Sequence, residues 1–162
     1  MGADTKTPEE FEREFVEKYF DDPSLVANSS FFLPYLSGER TPHNDPHIRG
    51  SFHAMKTTTD ATNLQYAVIE GVSFGILDGV NSIVKVNNDF ENIFMVGGGS
   101  RSSFWIELLS TLLNRKLSVC EQSEFGAALG VARLGMYVDD NINYENEESS
   151  SNWISINPDK AN

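Results

Sequence analysis

The chain has 162 residues, 40% hydrophobic and 11% aromatic, with 24 acidic against 12 basic side chains and a formal charge of −12. That length suits one ordinary domain with a sizeable core, and the apolar content argues against global disorder. The acidic field repels phosphate backbones, which speaks against a nucleic-acid partner; an anionic small ligand would have to be bound locally, by backbone N–H groups at a helix end.

Cys120 is the only cysteine, so no intrachain disulfide can form, which fits a reducing cytoplasm. No basic-then-apolar leader is read at the N-terminus, and no apolar run is read as long enough to span a bilayer. A cytoplasmic location without a membrane partner is therefore expected, and "NSS" at Asn28 is a chance sequon.

In chain order, "TPEEFEREFVEKYF" opens with a helix-start pattern: Thr7 as N-cap, Pro8 in the first turn and Glu10 three residues after the cap. Phe11, Phe15 and Tyr19 recur every fourth residue as a narrow aromatic stripe, and "DDPS" ends the helix. Met1 and Gly2 read as an added remnant. "SFFLPYL" is expected to be a strand with Pro34 at an edge or bulge. "SGERTPHNDPHIRG" follows as a long ordered loop, of a length that is usually functional or closely packed.

From Asp60 to about Val86, Leu64, Ala67, Val68, Gly71, Val72, Gly75, Ile76, Gly79, Val80 and Ile83 fall on one face at helical spacing. Gly71, Gly75 and Gly79 leave one ridge of bare backbone. In an apolar span that ridge would suggest membrane dimerisation, but Glu70 and Asp78 interrupt it, and close packing on a neighbouring helix or sheet is the preferred reading. Next come a strand "NIFMV", a glycine turn, and a helix "SFWIELLSTLLN" with Phe104, Trp105, Leu108, Leu109 and Leu112 inward. "KLSVC" is a further strand, and "SEFGAALGVARLGMYV" a helix of small residues with Gly126 and Gly130 four apart. Strand, long helix, strand, helix, strand, helix is the pattern of a layered α/β domain. "DDNINYENEESSSN" is acidic and reads as a mobile tail or insertion; "WISINPDKAN" recovers apolar character and stops without a helix to complete it, so a truncated end is expected.

The stretch "MVGGGSRSSFW" carries the sharpest question. Three glycines deliver a strand to a helix start, where N–H donors stand unsatisfied and the helix dipole is positive, and where a phosphate or flat ring can reach the backbone. Ser100, Ser102 and Ser103 can cap the helix or bond a ligand. The stretch lacks both the Lys-Ser/Thr of a P-loop and GxGxxG spacing, so the residues leave two readings open, a plain tight turn and a nucleotide site. His43, His47 and His53 invite a metal reading, but Pro46 and Gly50 break their spacing and only Asp45 adds to them; loop hydrogen bonds are expected instead, and no metal site. No GxSxG or HExxH pattern occurs. Asp45, Asp60, Glu70, Asp78 and Glu124 are candidate acids or bases, each read singly as capping or surface charge.

Taken together, "LPYLSGERTPHNDP", "RGSF", "NLQYAVIEGVSFGILDG", "MVGGGSRSSFW" and "SEFGAALGVARLG" resemble, in order, the C-terminal domain of the FGGY carbohydrate kinases. The family's C-terminal signature is met at Gly50, Phe52, Met55, Asn63, Leu64, Ala67, Val68, Ile69, Glu70 and Gly71, with Ala54 where the family usually has glycine. The resemblance covers about Phe31 to Tyr137, and "GERTPH" with "SFGILDG" is most similar to the xylulokinase branch. It implies an α/β fold of the ribonuclease H-like (actin-like ATPase) type, here as the C-terminal lobe only. Residues 1–29 would be a helix and lead-in, 30–138 the ATPase-like lobe, and 139–162 the acidic segment and truncated end.

The resemblance further implies ATP or ADP with Mg2+ as cofactor and transfer of the γ-phosphate to the 5-hydroxyl of D-xylulose, a pentulose. The glycine turn would be the adenosine motif, with Gly98, Gly99 and Ser100 on the adenosine and α-phosphate side and Ser103 at the adenine edge. The helix from Glu124 would support it. Glu39 and Arg40 would sit in a loop near the interdomain cleft, joined in a buried Arg–carboxylate lock, ahead of direct substrate contact. The catalytic base and the metal ligands belong to an N-terminal lobe absent here, so no residue is assigned as catalytic and the chain alone is expected to be inactive. That missing lobe is its expected partner, and exposed apolar surface makes a homo-oligomer an expectation too. The alternatives are the lobe of a gluconate, ribulose or glycerol kinase, and a free-standing nucleotide-binding or interaction module.

Overall fold

The computed structural model describes residues 10, 13–14, 16–17, 30–86, 92–120, 126–136 and 153–158. Glu10, Arg13, Glu14, Val16 and Glu17 are helical, as the N-terminal pattern predicts. The Thr7 cap, the Phe11, Phe15 and Tyr19 stripe, Glu124 and the acidic segment lie outside the described residues. The chain divides into two compact units, Met1–Asp89 and Phe90–Asn162.

In the first unit, strand β1 (Phe31–Leu33) pairs antiparallel with β2 (Ser51–His53), with Phe32 opposite Phe52 and their rings 4.7 Å apart. β1 is shorter than expected: it stops before Pro34, which has no N–H to continue a ladder. β2 was not legible because "SFH" is short and follows a glycine- and proline-rich loop. That loop is closed by a reciprocal backbone pair, Glu39 N to Asp45 O and Asp45 N to Glu39 O, both 2.9 Å. Gly38 takes φ +85° against the backbone of Pro46, a conformation and a closeness that a side chain would not permit. The Arg49 guanidinium donates to the carbonyls of Pro46 and Ile48, at 2.7 and 2.8 Å.

Helix α1 (Ala61–Val86) starts at a reciprocal cap. The Asp60 carboxylate accepts from Asn63 N and the Asn63 amide oxygen accepts from Asp60 N, each at 2.9 Å. Its buried side is Thr62, Asn63, Tyr66, Ala67, Gly71 and Ser73, packed on β1. This corrects the apolar face expected above. Ala67 and Gly71 are buried, whereas Val68, Ile76 and Ile83 are exposed, because the line of small residues is what admits the strand. Among the described residues the glycine ridge is used only in part: Gly71 meets Phe32, Gly75 grazes Pro34, and Gly79 meets nothing. At 26 residues α1 is also long and apolar enough, by length and composition, to cross a membrane, contrary to the expectation above. Its buried face carries the polar residues Asn63 and Ser73.

In the second unit, β3 (Ile93–Met95) runs parallel to β4 (Leu117–Cys120), which pairs antiparallel with β5 (Trp153–Ile156). Parallel neighbours require a crossover, and helix α2 (Ser103–Leu113) supplies it. Phe104, Ile106, Leu109, Leu113 and Leu117 form the core. Here too the expected face shifts: Ile106 and Leu113 are buried, while Trp105, Leu108 and Leu112 are half-buried. Asn114 ends α2 in the left-handed conformation, φ 48°, a position asparagine tolerates. The fully buried Ser110 hydroxyl lies 2.9 Å from Arg115 O and 3.3 Å from Ile156 O, tying the helix end to β5. Helix α3 (Gly126–Met136) begins beside the exit of β3, where Gly126 faces the Val96 side chain. The expected order of elements is thus present, with β2 and β5 added.

Candidate nucleotide-binding turn

The three glycines do three different things. Gly97 adopts φ +92°, the turn that reverses the chain as it leaves β3. Gly99 carries the Trp105 indole: a side chain there would run into ring atoms Cζ3 and Cε3. Gly98 has ordinary φ, is exposed, and would meet nothing within 4 Å among the described residues if it carried a Cβ. Turning explains the first and packing explains the third. Gly98 is the glycine that neither explains, and it faces open space at the surface.

Residues Gly98–Arg101 make one 3-10 turn leading into α2. The Gly97 carbonyl accepts from Ser100 N at 3.1 Å and from the Ser100 hydroxyl at 2.6 Å. The Gly99 carbonyl accepts from Ser102 N at 3.2 Å. Ser102 is the N-cap of α2, its hydroxyl oxygen accepting from Trp105 N at 3.1 Å. Of the residues expected at the site, Gly98, Gly99, Ser100 and Ser103 therefore lie on one turn and the helix start it feeds. Ser100 is buried, 6% exposed, and its hydroxyl proton is committed to the turn itself. Ser103, the first residue of α2, is exposed. The first N–H groups of a helical turn generally lack intrahelical partners, and with the helix dipole they favour an anion. Trp105 was missed as part of this turn; its spacing from Gly99 placed it simply among the inward residues of α2.

Glu39 and Arg40 do not form the expected buried lock. Arg40 is exposed, and Glu39 Oε1 accepts from the backbone N–H groups of Arg40, at 2.8 Å, and Thr41, at 3.1 Å. A carboxylate already satisfied by two backbone donors holds its loop without a guanidinium. His43 makes the expected loop hydrogen bond, its Nε2 3.0 Å from the Tyr35 hydroxyl, whereas His53 lies in β2, its Nε2 2.7 Å from the Ser51 hydroxyl. His47 N donates to Asp45 Oδ1 at 2.7 Å. Burial, with the charges of Asp78 and Glu39, raises the Tyr35 hydroxyl above its usual range. Among the described residues no three His, Cys, Asp or Glu stand together to hold a metal ion.

Residues 6–138 match the FGGY family of carbohydrate kinases, C-terminal domain. The chain belongs to that family, and its fold is the actin-like ATPase type of α/β domain that the resemblance implied. A xylulose kinase of Escherichia coli K12 is 37% identical over 108 residues, 67% of this chain and 22% of that protein. The crystal structure of a xyloylose kinase from Brucella ovis is 43% identical, covering 80% of this chain and 26% of that one, with a TM-score of 0.64. A gluconate kinase structure from Lactobacillus acidophilus is 25% identical, covering 96% and 31%, with a TM-score of 0.67. The chain spans about a quarter of the length of these relatives.

Proposed function

We propose that this chain is the C-terminal, nucleotide-binding lobe, residues 30–138, of a soluble cytoplasmic sugar kinase that transfers the γ-phosphate of ATP to the 5-hydroxyl of D-xylulose. The exposed Gly98 carries the reading, since it opens bare backbone at a helix start where the turn itself needs no glycine. Gly98 and Gly99 lie along the adenosine and α-phosphate side with Ser103 at the adenine edge, and Ser100 holds the turn from within. The similarity to xylulose kinases favours a pentulose substrate, and the similarity to a gluconate kinase keeps a related sugar acid as the second reading. Mg2+ accompanies the nucleotide in this reading. The base that accepts the sugar proton and the remaining phosphate contacts belong to the part of the enzyme beyond this chain, so the chain alone turns over no ATP.

The test is a calorimetric titration of ADP-Mg into the chain and into Gly98→Val. Saturable binding that the substitution abolishes, with the thermal midpoint unchanged, supports the reading. No binding to the folded wild-type chain, or equal binding by the variant, overturns it.

A further inference from the structure

The glycine turn is supported from one side by a single side chain. At the place where a Cβ of Gly99 would stand, the three nearest atoms all belong to Trp105: Cζ3, Cε3 at 2.9 Å and Cη2 at 3.4 Å. The backbone that carries the indole is itself fixed. Trp105 N donates to the Ser102 cap, and its helix is anchored in the core by Phe104 and Ile106, 8% and 4% exposed. Contacts therefore run from the core through α2 and the indole to Gly99, while Gly98 beside it faces open space. Successive glycines have little conformational preference of their own, so the shape of this turn depends on what is packed against it.

We infer that Trp105 is the positioning residue of the turn: its indole, seated on Gly99, holds Gly97–Ser100 in the conformation that accepts an adenine nucleotide. The inference rests on the nucleotide reading given above. A ligand that needs one conformation binds in proportion to the fraction of molecules already in it. If loss of the ring lets the turn wander so that about a tenth of molecules remain competent, the dissociation constant rises about tenfold. The indole is half-buried and adjoins the turn, so occupancy also changes its surroundings and its emission.

The experiment titrates ADP-Mg into the 162-residue chain and into Trp105→Phe and Trp105→Ala, with calorimetry for affinity, tryptophan emission for the site, and thermal unfolding for the fold. The expected result is binding weakened about tenfold in Trp105→Ala and rescued in Trp105→Phe, whose ring still reaches Gly99. Nucleotide should change the emission of the wild type but not that of Trp105→Phe, which retains Trp153. A Trp105→Ala chain that melts cooperatively and binds like the wild type overturns the inference and leaves the nucleotide reading standing. If Trp105→Ala does not fold, Trp105→Leu, apolar but too short to reach Gly99, replaces it with the same two outcomes. A wild-type chain that binds no ADP overturns both readings at once, which separates that failure from the first.

Discussion

The backbone carbonyl of Phe32 occupies the space in which a side chain on Gly71 would have to begin. β1 and α1 approach that closely because the helix offers no Cβ at the crossing, and the carbonyl carbon of Phe32 is only 3.0 Å from where one would be. Gly71→Ala should therefore destabilise the fold by about 1–3 kcal/mol, since a strand backbone yields less readily than a side chain. Gly79, on the same ridge, faces nothing within 4 Å among the described residues. Gly79→Ala should stabilise by up to about 1 kcal/mol through helix propensity. Urea unfolding of the two variants, expected to move the midpoint in opposite directions, checks both.

Ala54 has φ 59°, the left-handed conformation that favours glycine. An L side chain there costs roughly 1–2 kcal/mol, and the greater freedom of glycine in the unfolded chain returns about 0.4–1 of it. Ala54→Gly should raise stability by somewhat under about 1 kcal/mol on that arithmetic. A lower melting temperature in the variant would refute the strain.

Glu70 is half-buried on α1, and burial raises its carboxyl above the ordinary 4.5, while the Tyr66 hydroxyl, donating at 3.2 Å, draws it partly back. The folded chain thus holds this proton more tightly than the unfolded chain. The associated stability is complete below 4.5 and is lost as pH rises through the raised value. Glu70→Gln keeps an acceptor for Tyr66 and has no charge to bury. Its stability should exceed that of the wild type at neutral pH and converge with it in acid. Thermal midpoints measured from acid to neutral pH should show that convergence; parallel curves would contradict it.

Asp60, a candidate acid or base by residue type, is the cap of α1 and receives Asn63 N on its carboxylate. Asp60→Ala should cost about 1 kcal/mol and Asp60→Asn, which caps equally well, almost nothing. Equal losses in both variants would point to a role for the charge rather than the cap.

Much of the fold was legible because periodicity and punctuation are local. The helical spacing of apolar residues from Asp60 to about Val86, and the glycines between "NIFMV" and "SFWIELLSTLLN", located α1, the turn and α2. The short strands β2 and β5 were not legible, since three or four residues carry too little pattern and their pairing partners lie far along the chain. The buried line of α1 was misplaced for a related reason. Composition put the apolar stripe inward, but the approach of β1 selected the small residues around Gly71.

The turn divides in the same way. Its place between strand and helix, and its family likeness, follow from residue order alone, because glycines, a capping serine and an apolar helix face are local instructions. Which glycine does which work was a tertiary decision. The choice depends on where the Trp105 ring comes to rest and on what space is left open above Gly98, distances that exist only once the core around Phe104 and Leu109 has formed. The Glu39 carboxylate was decided likewise, by the nearness of two backbone N–H groups once its loop had closed.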